Sequence, residues 1–68
     1  SDIGHIGSII ETNTANYFLS ISAGNLMYNA KSYFAISVSS PIGKLLLGKK
    51  KGDEILFNKK KINIINIQ

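Results

Sequence analysis

Apolar and polar positions in this chain alternate with the two-residue period of strands far more often than with the 3.6-residue period of helices. Ile6, Ser8, Ile10 and Thr12 alternate with Gly7, Ile9 and Glu11, which predicts a first strand with apolar groups on both faces. Thr12-Asn13-Thr14-Ala15-Asn16 predicts a turn, because Asn and Thr side chains bond their own backbone. Tyr17, Leu19, Ile21 and Ala23 then alternate with Phe18, Ser20 and Ser22, the clearest run of all, and predict a second strand with one buried and one wet face. Gly24 and Asn25 break that run, Leu26-Met27-Tyr28 is long enough only for an edge piece, and Asn29-Ala30-Lys31-Ser32 predicts a hairpin turn with Asn29 at positive φ. Phe34, Ile36 and Val38 against Tyr33, Ala35 and Ser37 predict a third strand. A fourth, Glu54 to Phe57, turns at Asn58-Lys59-Lys60 into a last strand from Lys61 to Ile67.

One helix interrupts this pattern. Ser40 is a good N-cap, since its hydroxyl can accept from a backbone N–H that the first turn leaves unpaired. Pro41 suits the first helical position, where its missing N–H costs nothing. Ile42, Leu45 and Leu46 follow at helical spacing, and Gly48 can take the left-handed conformation that ends a helix. The helix is therefore short, roughly two turns at 3.6 residues per turn. In the last strand Ile62 and Ile64 share one parity and Ile65 and Ile67 the other, which calls for a bulge near Ile64-Ile65 or for cover on both faces. Strands joined by hairpins around one short helix predict an α+β fold: a small antiparallel sheet of about five strands with the helix packed on it.

A chain of 68 residues is one domain at most and buries only about 60% of its unfolded surface, so the core is small. With 44% hydrophobic and 18% charged residues it reads as globular. There is no cysteine and a single histidine, His5, so neither a disulfide framework nor a zinc site is expected; His5, near the terminus, has no assigned role. No apolar run nears the ~18 residues of a membrane span, so no membrane contact is expected, and the lack of cysteine fits the cytoplasm. The chain begins with Ser1: residues 1–4 are expected to be a flexible end or a remnant of excision, and 5–68 the domain. The formal net charge of +4 comes from eight basic residues that are all lysine, whereas arginine is the residue whose planar fork reads guanine edges, so sequence-specific DNA reading is not expected.

The run Ser39-Ser40-Pro41-Ile42-Gly43-Lys44, then Leu45-Leu46-Leu47-Gly48-Lys49-Lys50, then Gly52-Asp53-Glu54, resembles the S-P-I-G/A-[KR]-x-L-L-G-K-x-x-G-D-E segment of the C-terminal domain of the GreA/GreB transcription elongation factors. With Ile6-Gly7-Ser8, the resemblance extends over nearly the whole chain. It implies an FKBP-like α+β domain that docks on bacterial RNA polymerase at the rim of its secondary channel. It also implies that Ser39, Ser40, Pro41, Ile42 and Lys44 contribute to the docking contact. In that family an N-terminal coiled coil with an acidic tip helps to hold the magnesium ion of transcript cleavage; no position here matches it, so no catalytic residue, cofactor or small-molecule substrate is expected and the domain is not expected to be an enzyme. The Lys51 position and the Asn58 to Lys61 turn depart from the longer, glycine-containing hairpin usual in the family.

Other chemistry is weaker. Lys49, Lys50 and Lys51, and Lys59, Lys60 and Lys61, are expected first as solvated charge and second as electrostatic steering toward an acidic polymerase surface or a weak, nonspecific nucleic-acid contact. Asp53 and Glu54, as strand neighbours, point to opposite faces and do not converge on one ion or proton. Peptidyl-prolyl isomerisation is a third reading, disfavoured because the chain has no tryptophan and few aromatic residues to line a pocket.

Overall fold

The computed structural model describes residues 3–21, 24–28 and 31–68, the side chains of 24–28, 31 and 32 apart. Within them lie β1 (Ile9–Thr12), β2 (Asn16–Ser20), β3 (Gly24–Tyr28), β4 (Lys31–Ser37), α1 (Pro41–Leu46), β5 (Glu54–Phe57) and β6 (Lys60–Ile67). The six strands form one sheet in the order β3-β4-β2-β1-β6-β5. The α+β class is as expected, and the strand count rises to six because Gly24 and Asn25 join the edge piece instead of breaking the chain before it. The Asn29-Ala30 part of the expected turn and the end of the expected second strand, 22–23, lie outside the described residues.

The sheet is mixed, not antiparallel. β4 runs parallel to β2, with Tyr17 beside Phe34 and Leu19 beside Ile36, while the β1–β2, β1–β6, β3–β4 and β5–β6 pairings are antiparallel. The hairpin of β3 and β4 is placed so that its second strand, not its first, lies against β2. β4 has reason to sit inside: Tyr33 and Ala35 are buried on one face and Ile36 packs on the core from the other. A strand apolar on both faces gains most from neighbours on both sides.

β1 is shorter than its pattern. Gly7 stands at φ +95°, and residues 5–8 form a turn in which the Ser8 N–H donates to His5 O (2.9 Å) and the His5 N–H to Ser8 Oγ (3.0 Å). The strand therefore begins at Ile9. The β1–β2 turn closes as predicted on Thr12, whose Oγ1 donates to Ala15 O (2.6 Å) and accepts from the Ala15 N–H (3.0 Å). The phase slip in β6 is a bulge. Ile10 pairs with Ile67 and Glu11 with Asn66, but Thr12 pairs with Ile64, leaving Ile65 as the extra residue. Ile64 is 2% exposed and Ile65 53%, so the bulge keeps both Ile64 and Ile67 on the core side.

The core is a single layer between sheet and helix: Ile10, Leu19, Ile55, Ile62 and Ile64 from the strands and Leu46 from α1. Ile3 and Gly4, at the end that the sequence pattern assigns to a flexible terminus, are tied to the helix exit. Ile3 bridges to Lys50, the Gly4 N–H donates to Lys49 O and the Gly48 N–H to Gly4 O, both at 2.8 Å. Gly4 lies so close to the helix that a Cβ there would come within 2.5 Å of Leu46 O.

Candidate functional site

The corner from β4 into α1 is built from serine hydroxyls. Ser37 Oγ accepts from the Ser39 N–H (3.1 Å) and lies 2.7 Å from Ser39 Oγ. Ser40, extended at φ −70° and ψ 160°, donates its hydroxyl to Ser37 O (2.6 Å) and accepts at the same oxygen from the Gly43 N–H (3.1 Å). That is the predicted N-cap, and it also ties the helix back to the strand before it. Pro41 opens α1, and the first helical bond runs from the Lys44 N–H to Ser40 O at 2.9 Å. At the exit Gly48 takes φ +79°, as predicted.

The face that α1 turns inward is the expected apolar one, with Gly43 added to it. Ile42, Leu45 and Leu46 all pack on the core, Leu46 fully buried and Ile42 and Leu45 half-buried, and Gly43 is buried against the end of β4. Gly43 permits this, because a Cβ there would collide with the Ser37 carbonyl oxygen. Sequence reasoning passed over Gly43, for which the only signal was a glycine inside a helical pattern.

Among the predicted contact residues, Ser39, Pro41 and Lys44 are exposed, whereas Ser40 and Ile42 are half-buried and engaged internally. Pro41 and Lys44, three residues apart, share the outward side of α1, and the exposed Leu47 extends it at the C-cap. The lysine runs do not meet. Lys49 to Lys51 precede β5 and Lys59 to Lys61 follow it, so they lie at opposite ends of that strand. Lys49 is half-buried; Lys50, Lys51, Lys59, Lys60 and Lys61 are exposed. Asp53 Oδ2 accepts from the Lys50 N–H at 2.9 Å. His5 Nδ1 lies 2.7 Å from Ile6 O at the exposed start of the chain. Among the described residues no group of three or more His, Asp or Glu side chains is placed to hold a metal ion, and no helix is long and apolar enough to cross a membrane.

Fold and site together define a small α+β domain that holds a stiff, hydroxyl-laced helix corner out to solvent. The family model of the transcription elongation factor GreA/GreB C-terminal domain matches residues 24–68, well over half of the chain, and the match takes in β3, β4, α1, β5 and β6. The chain belongs to that family. Comparisons with curated proteins and with solved structures find no match.

Proposed function

We propose that this domain is the RNA polymerase-binding module of a Gre-like elongation factor, that it docks at the rim of the secondary channel, and that it positions an upstream segment rather than performing chemistry itself. Its fold is read as FKBP-like and its compartment as the cytoplasm, both on the strength of the family. The observation that carries the reading is the exposed Ser39, Pro41 and Lys44 edge within the family-matched stretch, on a helix whose inner side is locked by Gly43 and Leu46. A partner meets a preformed surface there, and little ordering is lost on contact. Ser40 and Ile42 support that surface from beneath.

The test is retention of core polymerase by the immobilised domain in nuclease-treated extract. Lys44→Glu is expected to weaken binding roughly three- to tenfold, as for one exposed charge contact reversed, with an unchanged melting temperature. Undiminished retention by Lys44→Glu and by Pro41→Ala alike would remove the helix edge from the interface. Isomerase activity is not part of this reading, and catalysis in a proline-peptide assay would overturn it.

A further inference from the structure

The β5–β6 hairpin has a tip with no part in the helix corner. Its two turn residues, Asn58 and Lys59, both have positive φ, 51° and 66°. Two-residue hairpin turns of this hand favour Asn-Gly, since glycine takes the second position at no steric cost. A lysine there holds a left-handed backbone at a cost of about 1 kcal/mol or more. Backbone strain of this kind at an exposed tip points from structure toward a use for the side chain.

Strand alternation then sets the directions of the cations. Lys60 pairs with Phe57 and Lys61 with Leu56, so adjacent lysines leave opposite faces of the ribbon while Lys59 stands at its end, all three exposed. The tip is also slim. β1 last pairs with β6 at Thr12 and Ile64, and Asn13 Oδ1 takes the Asn63 N–H at 2.8 Å. Among the described residues, β5 is the strand paired with β6 from Ile62 to the turn, and Ile62 and Phe57 pack on the core from one face. A flat acidic surface meets the cations of one face. A cleft with anionic walls on both sides meets all three, and the major groove of B-form DNA, roughly 12 Å wide between two phosphate backbones, admits a two-stranded ribbon.

We propose that the β5–β6 tip is a sequence-independent contact for duplex DNA, with Lys59, Lys60 and Lys61 set against phosphates of both backbones. The contact is separate from the polymerase-docking corner and does not depend on it. Lys49, Lys50 and Lys51, at the other end of β5, take no part.

Fluorescence anisotropy of a labelled mixed-sequence duplex, titrated with the 68-residue chain over a range of salt, tests this. Three neutralised phosphates give a slope of log K on log salt near −2.7, at about −0.9 for each. Lys59→Gly is expected to raise the melting temperature, lower the affinity and flatten the slope by about 0.9. A purely structural lysine would give the first effect alone. Replacing Lys49, Lys50 and Lys51 by serine is expected to leave slope and affinity unchanged, as is Lys44→Glu, which separates this contact from polymerase docking. Duplex binding undiminished in Lys59→Gly, an equal loss on replacing Lys49 to Lys51, or equally tight binding of a single strand overturns the proposal. So does binding of polyglutamate without binding of duplex, which would assign the tip to an acidic protein.

Discussion

A single oxygen, Ser40 Oγ, holds the helix corner by donating to Ser37 O and accepting from the Gly43 N–H. Ser40→Ala removes both bonds and is expected to cost about 1 kcal/mol, read as a lower urea midpoint at unchanged slope. Gly43 matters through what it lacks. Gly43→Ala places a Cβ against the Ser37 carbonyl and forces the helix off the strand end, so its loss of stability is expected to exceed that of Ser40→Ala in the same titration. Lys59→Gly runs the other way: relief of the positive φ is worth about 1 kcal/mol, or roughly 4–8 °C in a domain of this size. Ser40, Pro41 and Gly48 were legible because capping chemistry is local. The contact at Gly43 was not, since a close approach belongs to two segments at once.

At the scale of elements, α1 rests on the sheet through Leu46, which is fully buried among Ile10, Leu19, Ile55, Ile62 and Ile64. Leu46→Ala is expected to cost about 2–5 kcal/mol, a large share of the stability of so small a domain, with loss of the cooperative thermal transition as the readout. The β6 bulge gives a sharper test. Deleting Ile65 leaves Ile62, Ile64 and Ile67 on the same face in unbroken alternation, so the deletion is expected to change stability by about 1 kcal/mol or less. Deleting Asn63 instead brings Ile62 and Ile64 onto opposite faces and is expected to prevent folding, as judged by amide dispersion. Parity alone predicted a slip near Ile64-Ile65. Which residue was extra followed only from the register against β1.

Across the whole molecule, the proposed docking corner and the cationic hairpin tip are separate places on one chain, both within the GreA/GreB-matched residues 24–68. If lysines steer approach to polymerase, the association rate is expected to fall as ionic strength rises from low to physiological salt, and to fall less when Lys49, Lys50 and Lys51 are serine; stopped-flow association checks this. The sequence by itself determined what acts over a few residues: the capped helix, the Thr12 and Asn58 turns, the parity of each strand and the family motif. Tertiary structure decided the rest: that β4 lies between β3 and β2 and makes the sheet mixed, that Gly43 lies against the Ser37 carbonyl, and that the two lysine runs stay apart. Caps and turns depend on bonds within one stretch of chain, whereas strand order and the close approach of helix to strand depend on which distant segments can cover each other.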